Sequence, residues 1–179
     1  MKILISGPPR SGKSTLIDKL INELNHKEYA FVGFFTPEVK KDRKREGFDI
    51  KDIKTQERIP LARKKGAESN FTLGTYKVYV GKFNVYLQNV LFPQLKEQKS
   101  HKKILLIIDE IGKMELFSEL FQGFIRSIFQ SNYEIIATIG KTLNHPIKDK
   151  LLNYSQIKLF SLKSGEFDEI FNRIRSYFN

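Results

Sequence analysis

The sequence contains no cysteine and no tryptophan, and only two methionines. Without cysteine there can be no disulfide and no thiolate metal site. No apolar run is long enough to span a bilayer. Met1-Lys2 leads directly into an apolar segment, so a signal peptide is not expected, and the chain reads as cytoplasmic and free of the membrane. Acidic residues are also scarce relative to basic ones. There are 20 Asp and Glu against 31 Lys and Arg, for a formal net charge of +11. Such an excess suits polyanionic ligands, and nucleic acid is one of them. No nucleic-acid recognition motif accompanies it, so a Lys-rich composition with a general pull on nucleotides is the simpler reading. Abundant Lys and Ile with few thermolabile residues leans towards a thermophile.

The 179 residues, 40 % of them hydrophobic, suffice for one domain with a real core. No internal repeat or linker divides them. The chain is expected to be a monomer.

One stretch organises the rest: Gly7-Pro8-Pro9-Arg10-Ser11-Gly12-Lys13-Ser14-Thr15. It follows the apolar run Ile3-Leu4-Ile5 and precedes Leu16, Ile17, Leu20, Ile21 and Leu24, which repeat at helical spacing. Strand, glycine loop and helix follow in the order that a phosphate-binding loop requires, and Gly7, Gly12, Lys13 and Ser14 fit G-x-x-x-x-G-K-[ST] without mismatch. Glycines let successive N–H groups converge on a phosphate, and the helix N-terminus adds partial positive charge there. Lys13 is placed to reach the β- and γ-phosphates, and the Ser14 hydroxyl to ligate Mg²⁺.

The second decisive stretch is Ile104-Leu105-Leu106-Ile107-Ile108-Asp109-Glu110. Five large aliphatics make a strand buried on both faces, with two carboxylates at its end. With a phosphate-binding loop upstream, Asp109 reads as the second Mg²⁺ residue opposite Ser14. Glu110, on the other side of the strand, is suited to activating an attacking water. Gly112 is expected to allow a tight turn beside the nucleotide.

Between these stretches, strands are expected at 30–35, 46–50 and 74–80, with a small β-hairpin insertion around 40–80 and a mobile polar loop over 62–72. Thr36 and Glu38 fall just past the second strand, where ligands of open α/β sheets sit. The charge run Lys40-Lys41-Asp42-Arg43-Lys44-Arg45 reads as a hairpin tip, from which Arg43 or Arg45 could stabilise transition-state charge. A helix is expected over 83–98, with Pro93 kinking or breaking it. A helical core stripe starts at Met114 and continues through Phe121 and Ile128. Further strands are expected at 133–139 and 156–160. Thr138 would serve either as a γ-phosphate sensor or as strand packing. The last helix is expected over 164–178 with Ser164 as N-cap. His26 reads as a solvated loop residue, and His145 as structural. The alternation of strands and helices implies an α/β fold, a mostly parallel sheet with helices on both faces.

Several stretches carry a resemblance that covers nearly the whole chain. They are Gly7–Thr15, Gly33-Phe34-Phe35-Thr36-Pro37-Glu38-Val39, Gly47-Phe48 and, most specifically, Ile107-Ile108-Asp109-Glu110-Ile111-Gly112-Lys113-Met114-Glu115-Leu116. The chain resembles the small nucleoside-triphosphatase family first described from thermophiles, whose relatives include the cancer-related nucleoside triphosphatase. The resemblance implies a RecA-like P-loop fold and Mg²⁺-dependent hydrolysis of nucleoside triphosphates, with broad base choice and slow turnover. Carried over by position, Lys13 and Ser14 bind phosphate and metal, Asp109 holds Mg²⁺ and Glu110 activates water. The sequence departs from the family pattern at Pro37, where an acidic residue is common, and at Lys40, where an Arg is common. Two alternatives remain open: a P-loop kinase acting on a nucleoside, nucleotide or polynucleotide end, and a nucleotide-switched nucleic-acid-binding module.

Overall fold

The structure, a computed structural model, describes residues 1–24, 28–97 and 101–178. The readings of His26 and of position 98 lie outside the described residues. The elements run β1 (Lys2–Gly7), α1 (Lys13–Glu23), β2 (Tyr29–Phe35), β3 (Glu38–Lys41), β4 (Lys44–Asp52), β5 (Arg58–Arg63), β6 (Phe71–Leu73) and β7 (Tyr76–Val78). There follow α2 (Val80–Tyr86), a π-helical turn (Leu87–Leu91), α3 (Phe92–Lys96), β8 (Lys103–Ile111), a 3₁₀ turn (Glu115–Phe117) and α4 (Glu119–Ile128). The chain ends with β9 (Glu134–Gly140), α5 (Pro146–Leu152), β10 (Ile157–Ser161) and α6 (Phe167–Arg175). No described helix is long and apolar enough to cross a membrane.

One ten-stranded sheet carries these elements in the order β10-β1-β9-β8-β2-β4-β5-β7-β6, with β3 paired to β4. The five strands from β10 to β2 pair in parallel. The other five are antiparallel and form the insertion expected around 40–80. Because β9 stands between β1 and β8, the phosphate loop and the Asp109-Glu110 pair face each other across the end of one intervening strand.

Side chains alternate along each central strand, and both faces are covered. Ile3, Ile5, Leu105 and Ile107 pack with Leu16, Ile17 and Leu20 of α1 and with Phe171 and Ile174 of α6. Leu4, Leu106 and Ile108 pack on the opposite face with Phe83, Leu91, Phe121 and Ile125. The insertion is tied to the core by Asp52, 1 % exposed. Its carboxylate accepts hydrogen bonds from Tyr86 Oη (2.7 Å) and from the backbone N–H groups of Lys54 and Thr55.

Several local expectations are corrected. The helix expected over 83–98 begins at Val80 and runs to Lys96. The π-helical turn at Leu87–Leu91, just ahead of Pro93, is the break in α-helical geometry expected there. The strand expected over 74–80 is only β7; Gly74 and Thr75 turn the β6–β7 hairpin. The expected loop over 62–72 shrinks to 64–70, because β5 runs to Arg63 and β6 starts at Phe71. The stripe from Met114 is interrupted, and α4 starts after Ser118, whose hydroxyl accepts from Phe121 N (3.0 Å). Ser164 caps nothing. Gly165 is left-handed (φ 84°), so α6 starts two residues later.

Gly33 shows how closely β2 and β8 approach. Its φ is +133°, and a Cβ there would lie 1.8 Å from the Ile107 carbonyl oxygen. Neither the dihedral nor the space admits a side chain. Gly33→Ala is expected to lower unfolding stability by more than about 3 kcal/mol in a urea melt. A loss below about 1 kcal/mol would contradict the close approach.

Candidate functional site

The carboxyl ends of β1, β8, β9 and β2 open into a cavity of about 510 Å³. Pro9, Arg10, Gly12, Lys13, Ser14 and Thr15 line it from one side, and Asp109, Glu110, Gly112 and Glu115 from another. Eight of the residues singled out in the Gly7–Thr15, Asp109 and Gly112 set thus converge with Glu110. Gly7, Pro8 and Ser11 do not line the cavity. They act beneath it. The carbonyls of Gly7 and Pro8 each accept a hydrogen bond from Lys13 Nζ at 3.1 Å, and a Cβ on Gly7 would meet Ser11 Oγ at 2.6 Å.

Lys13 is 7 % exposed, and its Nζ also stands 3.8 Å from Glu110 Oε2. An ammonium held by backbone carbonyls and one carboxylate is poised to exchange them for phosphate oxygens. Arg10 bends the loop with a left-handed φ of 63°, and Gly12 with 92°.

Asp109 is 4 % exposed. Burial pushes its carboxyl above the ordinary range, while hydrogen bonds from Ser14 and Thr138 and the charge of Lys13 oppose that shift. Thr138, 0 % exposed on neighbouring β9, donates its hydroxyl to Asp109 Oδ1. Of the two readings of Thr138, strand packing holds, and its hydroxyl also orients Asp109. Thr36 plays a matching backbone role. Its hydroxyl donates to the Asp109 carbonyl and accepts from Glu110 N (2.8 Å). Glu110, with its side chain 39 % exposed, is also shifted up, by desolvation first, with Asp109 adding and Lys13 opposing.

Gly112 opens the expected turn, its carbonyl accepting from Leu116 N at 3.0 Å, and it also leaves room. A Cβ there would lie 2.5 Å from Glu115 Oε2 and 3.1 Å from Glu110 Oε1. Arg45, Glu38, Phe48 and Leu73 of the insertion close the cavity opposite. Arg43 does not reach it. It occupies the exposed β3–β4 turn with Asp42, both at positive φ. His145 accepts from Ile147 N at 3.2 Å and caps α5, a structural role as expected.

Glu115 had no role assigned from sequence. It is 4 % exposed. Burial, reinforced by the nearby charges of Glu110 and Asp109, pushes its carboxyl up to about 8. The one hint in the sequence is its place three residues past Gly112. The folded chain keeps this proton up to about pH 8, whereas an unfolded chain releases it near the ordinary value of 4.5. In that window unfolding releases a proton, so rising pH costs the folded state stability until both states are ionised. Glu115→Gln carries no such proton. Its stability relative to wild type is expected to improve steadily between pH 4.5 and pH 8, read by thermal melts across that range. A difference independent of pH would show that Glu115 titrates normally.

Comparison with known proteins places this geometry. A family model described as NTPase matches residues 2–175. Nucleoside-triphosphatase THEP1 of Thermotoga sp. (strain RQ2) is 38 % identical over 176 residues, 98 % of this chain and 94 % of the relative. The crystal structure of THEP1 from the hyperthermophile Aquifex aeolicus superposes with a TM-score of 0.85 at 32 % identity, covering 100 % of this chain and 99 % of that one. The solution structure of a human cancer-related nucleoside triphosphatase follows with a TM-score of 0.77 at 27 % identity, covering 98 % and 96 %. A phosphate loop on β1, a carboxylate pair on β8 with one strand between them, and these likenesses along the full chain lead to one conclusion: the chain belongs to the THEP1 nucleoside-triphosphatase family of P-loop proteins.

Proposed function

We propose that the chain hydrolyses nucleoside triphosphates to the diphosphate and phosphate, with Mg²⁺, little discrimination among bases and slow turnover. The observation that carries this reading is Glu110 Oε2 at 3.8 Å from Lys13 Nζ, at the mouth of the phosphate loop. A kinase excludes water from this place. A carboxylate beside the phosphate-binding lysine is suited to taking a proton from water.

The residues present fit Mg²⁺. Ser14 and Asp109 offer only oxygen donors, already hydrogen-bonded to each other. Among the described residues no cluster of three His, Cys, Asp or Glu side chains could hold a metal alone, which suits an ion completed by phosphates and water. When bound, the ion would neutralise phosphate charge. The chain's own groups do the rest. Loop amides and Lys13 hold the phosphates. As Lys13 turns from Glu110 to the triphosphate, Glu110 loses the cation that kept its basicity down. It then takes the proton of the water whose oxygen attacks the γ-phosphorus, and the diphosphate leaves.

Broad base choice and slow turnover rest on the family likeness. Wild type should release phosphate from ATP, GTP, CTP and UTP, and a chelator should stop it. Glu110→Gln should bind nucleotide normally and lower kcat by about 100-fold or more. Wild-type turnover in that variant would sink the assignment of Glu110. Transfer to an added acceptor exceeding phosphate release would replace the hydrolase with a kinase.

A further inference from the structure

Arg45 enters the cavity from within β4, a paired strand, rather than from the tip of the hairpin. Its guanidinium hydrogen-bonds the Glu38 carboxylate and lies over the Phe48 ring, 5.4 Å from the centroid. Tyr76 meets Phe48 edge to face at 5.5 Å, so the guanidinium rests on an aromatic platform. The resting arrangement is incomplete. Arg45 Nε is buried with no hydrogen-bond partner. A buried donor left unmade is unfavourable, so the side chain is held short of its donor capacity.

Glu38 is not committed to Arg45 alone. Lys40 Nζ lies 3.6 Å from its other oxygen, and Arg10 of the phosphate loop adds to the field. Partial burial pushes the Glu38 carboxyl up, but Arg45, Lys40 and Arg10 together hold it below the ordinary range. Glu38 therefore retains a cation when Arg45 leaves. Lys40 is a poor substitute for Arg45 itself. It is 60 % exposed, does not line the cavity, and offers a point charge where a planar fork matches phosphate oxygens.

We propose that Arg45 is a catalytic residue supplied in cis: on triphosphate binding its guanidinium passes from Glu38 to the γ-phosphoryl oxygens and stabilises the charge that develops on them. This rests on the hydrolase reading above and adds a residue to it. Arg45 changes no bond. The water oxygen–phosphorus bond forms, the bond from phosphorus to the β–γ bridging oxygen breaks, and the water proton passes to Glu110. A triphosphate carries several negative charges against the single one of Glu38, so the exchange runs towards substrate. The pairing with Glu38 keeps the cation aligned until then.

Two measurements test this. In steady-state kinetics, Arg45→Gln should lower kcat by roughly 100- to 1,000-fold with KM within a few-fold. Arg45→Lys should recover part of the loss, and Arg43→Gln, on the exposed turn, none of it should suffer. In binding, wild type should take up the nucleoside diphosphate with Mg²⁺ and fluoroaluminate, a planar phosphoryl mimic, more tightly than the diphosphate with Mg²⁺ alone. Arg45→Gln should lose that gain and keep diphosphate affinity. The binding arm needs no turnover, so it reads Arg45 even if wild type releases no phosphate, in which case it is the hydrolase reading that fails. Wild-type kcat in Arg45→Gln, or an undiminished fluoroaluminate gain, overturns the proposal. If Arg45→Gln does not fold, Arg45→Lys replaces it, and full fluoroaluminate affinity in that variant counts against a need for the guanidinium fork.

Discussion

A carboxylate buried at the carboxyl end of a central strand is the constraint on which this structure depends. Asp109 follows Leu105, Leu106, Ile107 and Ile108, all 0 % exposed, and it is almost wholly removed from water itself. An isolated charge there would be intolerable. It persists because three elements each send a group to it: Thr138 from β9, Ser14 from α1 and, through the backbone, Thr36 from the end of β2. The parallel order of the sheet brings those elements to one edge. Satisfying Asp109 and assembling the site are therefore the same event.

Around it the charges are arranged in tension. Lys13 is shared between loop carbonyls and Glu110, Glu115 is kept from ionising by burial, and Arg45 is shared with Glu38 on an aromatic platform. Lys13 and Arg45 each have a resting partner weaker than a phosphate would be. The antiparallel insertion contributes one side of this arrangement. Its anchorage through Asp52 and Tyr86 to the packed helices gives Arg45 and Phe48 a rigid base.

Much of this was legible in the chain itself. The phosphate loop, the aliphatic strand and its carboxylate pair were readable because their chemistry is local. A loop that cradles phosphate needs particular residues at fixed spacing, and a strand buried on both faces has no room for polar residues until it emerges. The core strands were found within a residue or two for the same reason. What local pattern could not show was pairing between distant segments. Thr138 could be read as a γ-phosphate sensor or as strand packing but not as a partner of Asp109, 29 positions away. Thr36 and Glu38 could not be told from turn chemistry, and Arg45 could not be told from Arg43. Glu115 was readable as a charged residue but not as a buried one. Ser164 had the right residue type for a cap, yet Gly165 displaced the helix start.

The sequence alone determined that the chain binds nucleoside phosphate on an α/β sheet, because spacing, hydrophobic period and glycine chemistry act over a few residues. Only the tertiary structure decided which side chains line the cavity at the end of that sheet and in what ionisation state they wait. Ionisation depends on burial and on neighbours brought together from β1, β2, β4, β8 and β9, and those distances are set by how the sheet is ordered rather than by the order of the chain.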